Sequence, residues 1–182
     1  MPLARLLRRH RARESAHALY GRIVAQARQP VFFAERGVPD TVDGRFELVA
    51  LHAFLVFNRL RADHAATAEF AQLVFDVMFT DFDRALREMG TGDLSVGKEV
   101  KRMAKAFYGR VAAYEGGLAA GDDKLTEALR RNLYGTAAPS EQDLRAMAFY
   151  LRGAAERLAR QGTDGLLAGE VEFGPAPARG AA

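Results

Sequence analysis

The chain has 182 residues, a formal charge of +3, 27% charged side chains and no cysteine. That length supports one domain whose core needs no metal or disulfide to hold it. The missing cysteine excludes a disulfide framework, thiolate metal sites and a cysteine nucleophile. No apolar run approaches the about 18 residues of a membrane span, and the opening of the chain lacks the apolar core of a secretory signal, so the expectation is a protein that works inside the cell.

In chain order, MPLARLLRRHRARE places five arginines before Glu14, with Leu3, Leu6, Leu7 and His10 at helical spacing. Residues 1–13 therefore read as a basic amphipathic arm suited to anionic lipid or ribosomal RNA. A first helix is expected from Arg13 to Gln29, stopped by Pro30. The stretch PVFFAERGVPDTVDGR is rich in turn formers and predicts a long loop. RFELVALHAFLVFNRL is apolar on more than one face, the mark of a helix at the centre of a bundle. From about Ala65 to Met89, Phe70, Leu73, Val74, Val77, Met78 and Phe82 keep to one side of a third helix. Val96, Val100, Met103, Phe107, Val111 and Tyr114 mark a fourth, with Ser95 expected to cap it. Two more are expected, Asp123–Tyr134 and Ser140–Gln161, the second opened by a Ser140 cap with an acid three residues on. Residues 163–182, rich in Gly, Ala and Pro, read as a mobile tail. Without sustained alternation of β-branched residues, the fold is predicted to be all-α, a single helical bundle of about six helices, its domain spanning residues 14–162.

Motifs that would carry chemistry are weak. GDLSVGKE, from Gly92 to Glu99, misses the Walker A pattern at its last position and follows a helix, where a phosphate cradle needs a strand. Glu14 and His17 form one Glu-x-x-His pair, and a carboxylate-bridged metal site needs two. A lone His52 on an apolar helix is expected to be a hydrogen-bonded core residue. No nucleophile elbow or zinc-protease signature is present, so no catalytic role, cofactor, metal or small-molecule substrate is expected. Lys98, Lys101, Arg102 and Lys105 make a basic stripe on the fourth helix, read as solvated or partner-facing before RNA-binding.

Two blocks, GVPDTVDGRFEL within Leu19 to His52 and LREMGTGDLSVGKEVK within Val74 to Glu115, closely resemble the ubiquinol-cytochrome c chaperone family. The resemblance implies a helical, non-enzymatic assembly factor for the cytochrome bc1 complex that engages newly made cytochrome b. Mitochondrial members act near the ribosomal tunnel exit with a small helical partner. The chain opens close to these blocks without a long leader, which points to a bacterial member in the cytoplasm, peripheral at the inner membrane through residues 1–13. A eukaryotic member would sit on the matrix side of the mitochondrial inner membrane.

Shielding an apolar client calls for an apolar groove. Its expected lip is Phe32, Phe33, Val38 and Pro39, and its expected floor is Phe54, Phe57, Val77 and Met78, each floor residue equally readable as core. Asp40, Asp43, Arg45, Asp81, Asp83, Arg87 and Asp93 are expected to form a polar frame. A ribosome- or RNA-binding helical module without client shielding is the alternative, and a helical-bundle metalloenzyme is a third.

Overall fold

The computed structural model describes residues 2–135 and 137–179, with side chains from Leu6 onward. The side chain of Leu3, Thr136 and the last residues of the expected tail, 180–182, lie outside that description. The described chain is a bundle of six longer helices and two single-turn ones: α1 Pro2–Ala27, α2 Pro30–Ala34, α3 Val42–Ala62, α4 His64–Glu88, α5 Asp93–Ala120, α6 Asp122–Leu129, α7 Glu141–Arg160 and α8 Thr163–Leu167. A wider π-type turn, Arg130–Tyr134, continues α6. Among the described residues there is no strand.

The all-round apolar helix takes the central position. α3 touches α1, α4, α5 and α7 and buries Leu48, Leu51, Phe54, Leu55 and Leu60, each no more than 1% exposed. A single residue, Asp63, links it to α4, which runs back along it with Phe46 beside Phe82 and Phe57 beside Phe75. α5 then lies in the notch between α3 and α4.

The expected loop before α3 is largely structured. α2 carries Phe32 into the core, and Gly37, at φ 66°, turns the chain so that the Val38 N–H reaches the Phe32 carbonyl at 3.1 Å. Thr41 then caps α3 by accepting from the Gly44 N–H at 3.1 Å. Gly44 has no room for a side chain, because a Cβ there would sit 1.9 Å from the Pro39 carbonyl oxygen. The family-like block GVPDTVDGR thus has a local purpose, fixing the entry angle of the central helix.

Three expectations need correction. The first helix begins at Pro2 instead of Arg13, so the basic arm is helical and continuous with α1. Ser95 does not cap α5; Gly92 stands at that position, and Lys98 sits on the second helical turn, so a helix occupies the place of any phosphate loop. The segment after Gly162 is packed rather than mobile as far as it is described. Leu166, Val171 and Phe173 are at most 6% exposed. Side chains from three elements hold its extended backbone: Gln161 bonds both the N–H and the carbonyl of Glu172, Gln26 donates to the Gly174 carbonyl and Arg36 to the Pro177 carbonyl. Ser140, in contrast, caps α7 as expected, accepting from the Asp143 N–H at 3.1 Å.

Candidate functional site

The expected lip and floor are split by the structure. Phe32, Val38, Phe54 and Met78 are at most 2% exposed and belong to the core. Phe32 packs edge-on to His52 and Tyr150, each at 5.4 Å, and Phe54 lies against Tyr114 at 5.6 Å. None of the four can touch a partner without unpacking the bundle. Phe33, Pro39, Phe57 and Val77 are half-buried and reachable, but they lie on different faces. Val77 faces a cleft between α1 and α4 shared with Tyr20, Asp81 and Arg84, whereas Phe57 faces a groove among α3, α4 and α5.

The polar frame serves helix junctions. Asp40 pairs with Arg45 at 2.7 Å across the entry to α3, an exposed pair that holds the Asp40 carboxyl below its usual range, and Asp43 occupies the first turn of that helix. Asp83 pairs with Arg87 at 2.6 Å, and Arg87 also reaches Asp93, tying the end of α4 to the start of α5. Asp81 accepts from the Tyr20 hydroxyl at 2.9 Å and pairs with Arg84 at 2.6 Å, joining α4 to α1. Burial, then Asp81, pushes the Tyr20 hydroxyl pKa upward.

What the fold does bring together is aromatic. From Phe46 the rings run through Phe82 (5.3 Å), Phe79 (5.4 Å) and Phe75 (4.4 Å) to Tyr108, stacked on Phe75 at 6.0 Å. Phe107 and Phe57 complete the series, 5.8 Å apart. At the Tyr108 end this seam opens into a groove of about 240 Å³. Phe57, Phe107, Ala68, Ala71, Phe75 and Val111 supply half of its lining residues, the two alanines on α4 leaving the space that larger side chains would fill, and Arg61, His64, Thr67 and Gln72 line it too. Arg61, bound through both nitrogens to Glu115 at 3.1 and 2.6 Å, bridges α3 and α5 beside it. Tyr108 is 62% exposed at the rim, an aromatic body with a polar tip at a wet edge. Two larger concavities, of about 440 and 370 Å³, are rimmed by Arg22 and Arg157 and by Arg28 and Arg84. Apolar chain placed there would desolvate those cations, whereas Arg61 in the lining of the smaller groove is paired with Glu115, so the aromatic groove is the better seat for it.

Below the seam, Glu47 is 7% exposed and accepts from Nε and Nη2 of Arg110, whose guanidinium also lies 5.6 Å over the Phe46 ring. Burial raises the Glu47 carboxyl pKa against the pull of Arg110. The pair ties α5 to α3. Lys98, Lys101, Arg102 and Lys105 are exposed on α5, Arg102 paired with Glu99 at 2.7 Å. Lys98, Lys101, Lys105 and Tyr108 follow one another at spacings of three and four, so the cationic stripe ends at the exposed aromatic ring. The sequence puts Phe107 and Tyr108 at the end of that stripe with Phe107 on the apolar face, and the structure buries Phe107 and exposes Tyr108.

Bundle and seam together define an all-α protein with an aromatic cleft open to solvent. The family model described as ubiquinol-cytochrome C chaperone matches residues 34–173, and the chain belongs to that family. The match runs past residue 162, so the packed C-terminal segment is part of the family domain. Ubiquinol-cytochrome-c reductase complex assembly factor 1 of Xenopus laevis is 26% identical over 145 residues, 79% of this chain and 72% of that relative. The Drosophila melanogaster factor of the same name is 22% identical over 153 residues, 81% of this chain and 59% of its own length. The crystal structure of the Cbp3 homolog from Brucella abortus superposes with a TM-score of 0.85 at 35% identity, over 97% of this chain and 98% of that one.

Proposed function

We propose that this chain is an assembly chaperone for the ubiquinol-cytochrome c reductase complex that shelters an apolar segment of newly made cytochrome b in the groove among α3, α4 and α5. The carrying observation is the run of aromatic rings that reaches solvent at Tyr108 beside Ala68 and Ala71. An apolar helix in water gains from covering its surface at about 25 cal/mol per Å² buried, and flexible contact with large flat rings tolerates many sequences. The groove binds and releases; no bond is made or broken. Contact with the ribosome near the tunnel exit and with a small helical partner, as the resemblance implies for mitochondrial members, belongs to the same proposal.

Tyr108→Glu with Ala71→Glu places charge on the rim and wall without touching a fully buried residue. In cells making cytochrome b, the variant is expected to co-purify at least about tenfold less of it than the wild type, whereas Arg160→Glu on α7 is without effect. Equal recovery from all three proteins would remove the groove. The RNA reading has one observation in its favour, the exposed Tyr108 at the end of the lysine stripe. It requires salt-sensitive binding of purified ribosomal RNA that Lys101→Glu with Lys105→Glu abolishes in the absence of client.

A further inference from the structure

α1 carries a buried apolar stripe and, on another side, two exposed leucines. At about 100° per residue, Ala16, Leu19, Ile23 and Ala27 form the stripe buried against the bundle. Followed toward the N-terminus, that stripe reaches Ala12 and then Arg9. Leu6 and Leu7 lie elsewhere, on the side continued by His10, Glu14 and His17, all exposed. Leu6 is 63% and Leu7 58% exposed, and every described residue from Leu6 to Arg11 is exposed whichever way it faces. These leucines therefore add nothing to the core. Arg8, Arg9, Arg11 and Arg13 flank them, and Glu14, the first acid in the sequence, lies 3.4 Å from His10.

We propose that the first three turns of α1 lie along an anionic lipid bilayer, with Leu6 and Leu7 entering the interface and the flanking arginines on headgroup phosphates. Cations set beside an apolar stripe, long enough to span their own stems, are what such a surface selects. The charge requires an anionic partner. Two solvent-facing leucines choose lipid over RNA, since a phosphate backbone offers them nothing to bury in. The helix lies on the membrane; among the described residues none is long and apolar enough to cross it. α1 runs unbroken from Pro2 into the bundle, so this contact would keep the bundle beside the bilayer, but the proposal does not depend on what the groove binds.

The test needs no client. The full chain is floated with phosphatidylglycerol-containing vesicles and with phosphatidylcholine vesicles, and expected recovery is at least about tenfold higher with the anionic lipid, declining with salt. Leu6→Glu with Leu7→Glu, which leaves every arginine in place, is expected to lose about tenfold or more of that binding. The chain has no tryptophan, so Leu7→Trp gives a single reporter whose emission is expected to shift to the blue on anionic vesicles only. Equal recovery with both lipids, undiminished binding by the double glutamate variant, or unshifted emission in the vesicle-bound protein would each overturn the proposal. So would ribosomal RNA binding that strips the wild type from anionic vesicles and that the double glutamate variant retains undiminished, which would assign the arm to RNA.

Discussion

Tyr150 donates its hydroxyl proton to Nε2 of His52 across 2.7 Å. The direction follows from the neighbours: Nδ1 of the same ring lies 2.7 Å from the Leu48 carbonyl, which only accepts, so Nδ1 carries the ring proton and Nε2 receives one. The Gln26 amide then donates to the Tyr150 oxygen at 2.9 Å and to the Gly174 carbonyl at 3.1 Å. A chain of hydrogen bonds thus joins the central helix to the C-terminal segment through α7 and α1. Phe173 closes it, edge-on to His52 at 5.1 Å.

Burial pushes the His52 pKa down to about 4, the Leu48 bond pulling weakly the other way. The unfolded chain takes up this proton near pH 6.5 and the folded chain only near 4. Stability from the neutral ring is therefore complete above pH 6.5 and is lost as pH falls toward 4, at up to about 1.4 kcal/mol per pH unit. Urea unfolding of wild type and His52→Gln is expected to show a stability gap at pH 7 that narrows across this window. A gap independent of pH would mean that the ring is not held neutral.

Phe173→Ala is expected to cost about 3–5 kcal/mol in the same assay, the range for a buried aromatic. Arg179→Ala, at an exposed end of the segment, is expected to cost under about 1 kcal/mol. Similar small effects from both would show that the C-terminal segment is not packed as described.

The Tyr114 hydroxyl is buried and, among the described residues, meets no hydrogen-bond partner. Removing it in Tyr114→Phe relieves the cost of an unpaired polar group and is expected to stabilise the fold by about 1 kcal/mol, read as a raised urea midpoint. A loss of that size would reveal a partner for the hydroxyl in solution.

Gly44→Ala drives a methyl group into the Pro39 carbonyl and is expected to destabilise by more than about 3 kcal/mol. Gly109, inside α5 with nothing within 4 Å of a Cβ, makes the contrast. Gly109→Ala should stabilise by about 0.5–1 kcal/mol through helix propensity alone, so a melting series with both variants separates steric from entropic effects.

Long amphipathic helices were legible because their packing repeats along one element: the stripe from Phe70 to Phe82, the apolar centre of α3 and the Ser140 cap all fold as read. Phe32 and Phe33 were not separable, because the choice of which enters the core is made by His52 and Tyr150, far along the chain. Composition misled at the C-terminus. Gly, Ala and Pro read as mobile, while Val171 and Phe173, two residues apart, carried a faint alternation that Gln161, Gln26 and Arg36 turn into a packed strand-like segment. The groove was illegible for a related reason. Phe57, Phe75 and Phe107 each look like core residues on their own helix, and only the way the three helices diverge beside Ala68 and Ala71 leaves them at an opening.

A photo-crosslinker installed in turn at Ala68, Tyr108 and Arg160 during synthesis of cytochrome b tests the sheltering groove most directly. The expected result is covalent capture of cytochrome b from positions 68 and 108, well above that from position 160, an exposed position on α7 outside the groove lining. Capture no stronger from the groove than from position 160 would contradict it.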